Sequence, residues 1–67
     1  MTPSRFQPLA VEHRGYPVAR IRDRRQDSDL LVYYKLGKLR YWDRGDEAVD
    51  SPTLRRVARE ALREAAA

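Results

Sequence analysis

A chain of 67 residues without cysteine is one domain near the lower size limit for folding alone, and no disulfide or thiolate-bound metal can brace it. Hydrophobic residues make up 42%, enough for one thin core between a sheet and a helix, so self-association as a homodimer is expected to supply the missing burial. The net charge of +4 favours a polyanionic partner, yet 14 basic residues against 10 acidic ones exclude the lopsided balance of a dedicated nucleic-acid coater.

No apolar run approaches the ~18 residues of a membrane span, so no membrane association is expected. The opening Met-Thr-Pro-Ser-Arg-Phe-Gln-Pro lacks the apolar core of a signal peptide. Together with the absence of cysteine, this leads us to expect a cytoplasmic protein that begins at its natural start. Arginine supplies twelve of the fourteen basic residues, a bias that a GC-rich genome produces by itself.

Residues 1–7 read as a flexible lead-in, with Phe6 placed to tuck under a sheet. Leu9 to His13 alternates as a short strand, with Leu9, Val11 and His13 on one side. Arg14-Gly15 marks a turn, and Tyr16 to Arg22 resumes an extended pattern with Pro17 at its start or on an open edge. The polar run Arg24 to Asp29 is a loop. Two registers are open for the 16–22 strand. The better one puts Ala19 and Ile21 on the core side and Val18, Arg20 and Arg22 outside, because the other would bury two arginines.

Leu30 to Asp43 reads as a β-hairpin closing at Gly37-Lys38, with glycine first in a type II′ turn. That turn opposes Leu36 to Leu39, Lys35 to Arg40, Tyr34 to Tyr41 and Tyr33 to Trp42. One side, with Val32, Tyr34, Leu36, Leu39 and Tyr41, suits a core. The other, with Tyr33, Lys35, Arg40, Trp42 and Arg44, is aromatic and basic. Asp43 to Glu47 is a turn. Ser51 then caps a helix with Pro52 in its first position, and Leu54, Val57, Ala58, Ala61, Leu62 and Ala65 form a single apolar stripe. The expected fold is α+β: a three- to four-stranded antiparallel meander over residues 8–43, packed by one C-terminal amphipathic helix over 52–66.

Enzymatic chemistry finds no foothold. There is no cysteine nucleophile, no glycine-rich phosphate loop and one histidine, His13, which suits a structural role. Asp27-Ser28-Asp29 lacks the oxygen ligands and the glycine of a calcium loop. Arg44-Gly45-Asp46 is explained by a turn. No cofactor or metal is expected.

The candidate site is therefore the aromatic-basic side of the sheet: Arg20, Arg22, Tyr33, Lys35, Arg40, Trp42 and Arg44. Tyrosine and tryptophan stack on bases while arginine and lysine meet phosphates, so this side suits DNA or RNA. The helix row Arg55, Arg59 and Arg63 reads as a solvated face. Three strands followed by a helix, with arginines and aromatics on the sheet, resembles the arm-type DNA-binding module of tyrosine integrases and the related AP2-like domains of plants. The resemblance is one of topology over residues 16–66, and it implies DNA binding through the sheet. The leading expectation is a small nucleic-acid-binding accessory or regulatory protein. The alternative is a protein-protein interaction module, an inhibitor or adaptor of a larger bacterial or phage complex, anchored by Trp42 and Tyr33.

Overall fold

The computed structural model describes residues 4–66. Four antiparallel strands run in sequential order, β1 (Phe6–His13), β2 (Pro17–Asp23), β3 (Ser28–Lys35) and β4 (Lys38–Tyr41). They are followed by one helix, α1 (Pro52–Ala66). The helix packs on one side of the sheet, mainly against β1 and β2, and leaves the other side without a covering layer. The α+β architecture expected from the sequence is the one observed.

β1 begins at Phe6, ahead of the boundary expected at residue 8, and Phe6 is a core residue. Residues 1–3 of the expected lead-in lie outside the described residues. The pairing of β1 with β2 shifts by one between Pro8, opposite Ile21, and Ala10, opposite Arg20. Leu9 is therefore a bulged residue, and it is exposed rather than aligned with Val11. The extra residue reverses the alternation, which lets Phe6 and Val11, of opposite parity, both reach the core cluster. Pro8 is tolerated because β1 is an edge strand, and Pro17 sits at the first position of β2.

β2 adopts the favoured register: Ala19 and Ile21 are fully buried under the helix, opposite Val32 and Leu30. The hairpin between β3 and β4 differs from expectation. Its turn residues are Leu36 and Gly37, both at positive φ (53° and 79°), a type I′ geometry in place of a type II′ turn at Gly37-Lys38. Lys35 consequently opposes Lys38, Tyr34 opposes Leu39, Tyr33 opposes Arg40 and Val32 opposes Tyr41. Every partner moves by two residues, an even number, so each strand residue keeps its expected side. Leu36 leaves the core side for the hairpin tip, where it is 95% exposed, and Tyr34 keeps its side but is exposed rather than part of the core.

After β4 the chain folds back along its edge. Tyr41 N–H donates to Glu47 O and Val49 N–H to Leu39 O, covering an edge that would otherwise be open. This return places Val49 in the core. Ser51 caps α1 as expected, its Oγ accepting from Leu54 N–H at 3.3 Å. Leu54, Ala58 and Leu62 are buried along the apolar stripe, while Ala65 stays exposed. No helix among the described residues is long and apolar enough to cross a membrane.

Candidate functional site

The uncovered side of the sheet carries six of the seven residues singled out from the sequence. β2 supplies Arg20 and Arg22, β3 supplies Tyr33 and Lys35, β4 supplies Arg40, and Trp42 follows directly, its N–H held by Leu31 O at 2.8 Å. Arg44 is placed elsewhere. Its guanidinium lies 4.8 Å from the centre of the Tyr41 ring, a residue that faces the core.

Arg20 and Arg22 on this side, and Arg14 beside them, are engaged with carboxylates. Arg14 meets Glu12 at 3.0 Å, and Glu12 meets Arg20 at 2.8 Å. Arg20 reaches Asp29 at 3.3 Å, Asp29 meets Arg22 at 3.0 Å, and Arg22 also pairs with Asp27. Three cations and three anions thus alternate in one chain from the end of β1 and its following turn across β2 to the start of β3, with no net charge. Hydrogen bonds from Arg14 and Arg20 hold the Glu12 carboxyl below the usual carboxylate range. Those from Arg22 and Arg20 do the same for Asp29. Lys35 pairs with Asp46 at 2.7 Å, and this contact lowers the Asp46 pKa.

Arg40 makes no ion pair among the described residues. It donates through Nη1 to Asp46 O, and its Nε is buried without an acceptor.

The centre of this side is aromatic. Tyr16, Tyr33 and Trp42 form a mutually touching triad, with ring centroids 5.3 Å, 5.5 Å and 5.7 Å apart. Arg14 lies over the Trp42 ring at 5.1 Å. Val18, although on the side away from the helix, is 0% exposed and lies opposite Tyr33. The triad therefore caps a small second core on the outer side. Sequence reasoning left Tyr16 out of the site, although alternation over residues 16–22 gives it the side of Val18 and Arg20, because its contacts with Tyr33 and Trp42 are made from a bend ahead of β2 that the pattern does not specify. It missed the role of Val18 because alternation gives a side and not a depth.

The arrangement can present a half-buried aromatic surface bordered by internally compensated charge. Among the described residues no cluster of histidine, aspartate and glutamate is placed to hold a metal ion. Comparison of the chain with protein-family models, curated proteins and solved structures finds no match. The resemblance to arm-type modules accordingly rests on strand order alone, and β1 is an addition to that three-stranded layout.

Proposed function

We propose that this chain is a non-enzymatic protein-binding module that docks a partner protein on the uncovered side of its sheet, with Trp42, Tyr33 and Tyr16 as anchors. The observation that carries this reading is the charge compensation of Arg20 and Arg22 by Glu12, Asp27 and Asp29. A phosphate approaching Arg20 would also approach Glu12 and Asp29, so the repulsion offsets the attraction. An aromatic centre with a compensated polar border is the anatomy of a protein interface. Tyrosine, tryptophan and arginine are the residue types that dominate such interfaces energetically.

The test is affinity capture with the wild-type chain and Trp42→Ala in parallel, then titration of the purified captured protein. The expected result is a Kd that changes little with salt and rises on the order of 30-fold for Trp42→Ala, equivalent to roughly 2 kcal/mol.

Nucleic-acid binding is the second reading. It is supported by the net charge of +4 and by arginines outside the ion pairs of the described residues, Arg40 and Arg44 among them. Quenching of Trp42 fluorescence by short DNA or RNA separates the two. Salt-sensitive quenching that Arg40→Ala weakens, with the log–log slope reduced by about one, would replace the protein-binding reading.

A further inference from the structure

Tyr16 belongs to two surfaces. It touches Tyr33 and Trp42 on the uncovered side, and it also lines a groove of about 290 Å³ that reaches the helix. The other walls are Pro17, Tyr34, Leu62 and Ala66, with Arg59 and Arg63 of α1. Tyr34 lies on the helix side of β3 yet is exposed, because α1 lies chiefly over β1 and β2 and covers little of β3.

Charge is the first pointer to an occupant. No acidic residue lines the groove, and neither Arg59 nor Arg63 joins an ion pair of the described residues. This is the opposite of the uncovered side, where Arg14, Arg20, Arg22 and Lys35 each have a carboxylate. Like charges at i and i+4 repel slightly. The helix dipole favours Arg63 in the last turn, but it gives no reason for Arg59 one turn earlier.

The apolar walls are the second pointer. Two of the four large hydrophobic residues exposed among the described residues, Tyr16 and Tyr34, stand at this one groove. Small-molecule pockets run from about 300 to 1,000 Å³, so this space lies at their lower end and has room for one bulky side chain. A nucleobase could stack on Tyr16 or Tyr34, but where it meets Pro17, Leu62 and Ala66 its ring nitrogens and exocyclic groups would find no side-chain polar atoms. An aromatic or aliphatic side chain has no such groups to satisfy.

We propose that this groove seats one apolar side chain of an acidic peptide segment of the partner protein, with flanking carboxylates on Arg59 and Arg63. The proposal rests on the protein-binding reading for the nature of its occupant. It adds a second surface that meets the first at Tyr16.

The probe is a five-residue peptide with phenylalanine between two pairs of acidic residues, titrated at millimolar concentration into the full isotope-labelled chain. Saturating shifts are expected at the Tyr16, Tyr34 and Leu62 amides and at the Arg59 and Arg63 side chains. Binding should weaken by at least about tenfold in the Arg59→Gln/Arg63→Gln double variant, which removes two charge-assisted contacts at exposed positions. The amide spectrum of the free variant reports that it is folded.

Absence of saturating shifts overturns the proposal, as does an equal response to a peptide with lysines in place of the acids. A response to adenosine monophosphate with the acidic peptide silent also overturns it, and assigns the groove to nucleotides. A silent peptide alongside a partner lost on Trp42→Ala leaves the uncovered-side reading intact. Peptide binding without any Trp42-dependent partner leaves the groove and removes that reading.

Discussion

Arg5 and Asp23 form a two-pronged ion pair, Nε to Oδ1 at 2.9 Å and Nη2 to Oδ2 at 3.0 Å, that ties the start of β1 to the end of β2. Asp23 is the one buried charged residue among the described residues, 2% exposed. It also accepts from the Arg25 and Gln26 N–H groups at 3.1 and 3.4 Å, organising the turn that leads to β3. Arg24 N–H donates to Arg5 O at 2.9 Å, so backbone and side chains close the same end of the sheet. Such a carboxylate stabilises only while its partners are present, because removing one leaves a buried charge uncompensated.

Asp23→Ala should destabilise the fold by on the order of 2 kcal/mol, since the Arg25 and Gln26 N–H groups lose their acceptor with the carboxylate. Urea unfolding followed by circular dichroism measures this. A midpoint equal to wild type would show that the pair contributes nothing net.

Stability should fall on acidification. The Arg5 hydrogen bond holds Asp23 below the usual carboxylate range, and Glu12, Asp29 and Asp46 are lowered by Arg14, Arg22 and Lys35 respectively. Each folded-state pKa is lower than the unfolded one, so the unfolded chain binds more protons as the pH drops. The stabilisation is present above about pH 4, where the unfolded carboxylates are ionised, and is lost as the pH falls through the folded values. Unfolding midpoints at neutral pH and near pH 3 should differ, and less so in Asp23→Asn. A pH-independent midpoint would contradict the ion-pair geometry.

The hairpin tip should accept a better turn residue. Leu36 holds a left-handed conformation, φ 53°, at a cost of about 1–2 kcal/mol, and it is almost fully exposed. Asparagine tolerates that conformation and precedes glycine in the preferred type I′ turns. Leu36→Asn is expected to raise the melting temperature by several degrees. Gly37→Ala should lower it although open space surrounds the site, because φ is 79° there. A neutral Leu36→Asn combined with a tolerated Gly37→Ala would indicate a different turn.

Arg20 is the centre of the alternating charge chain, bonded to both Glu12 and Asp29. In Arg20→Gln the Glu12 and Asp29 carboxyls should titrate at higher pH than in wild type, as followed by carbon NMR of the side chains. Global stability should change by less than about 1 kcal/mol, the usual worth of exposed pairs. Unmoved carboxyl titrations would show that the chain is not formed in solution.

Leu54→Ala removes a side chain that is fully enclosed between helix and sheet. A loss of about 2–5 kcal/mol is expected, against a total of roughly 3–10 kcal/mol for a chain of this size. The variant should lie near its unfolding transition at room temperature, visible as reduced helical signal. A fully folded variant would mean that a second copy supplies burial, which sedimentation of wild type and Trp42→Ala would then reveal.

The candidate site was partly legible before folding. Tyr33, Trp42, Arg20, Arg22, Lys35 and Arg40 share a side because strand geometry alternates side chains, a property of local backbone. For Val18 the side was legible and the depth was not, and for Tyr16 the contacts with Tyr33 and Trp42 were not, since burial and ring contacts depend on the neighbouring strands.

The amino-acid sequence alone determined which residues of β2, β3 and β4 turn toward the helix, and it determined the helix itself through Ser51, Pro52 and the apolar stripe. These depend on dihedral preferences and on periods of 2 and 3.6 within one segment. The tertiary structure decided the turn at Leu36-Gly37, since moving the hairpin register by two leaves every alternation unchanged. It also decided the bulge at Leu9, the return of Val49 and the pairing of Arg20 with Glu12 and Asp29. The side a residue faces follows from its own backbone. What it meets there follows from which strand lies alongside and in which register, and only the assembled sheet supplies both.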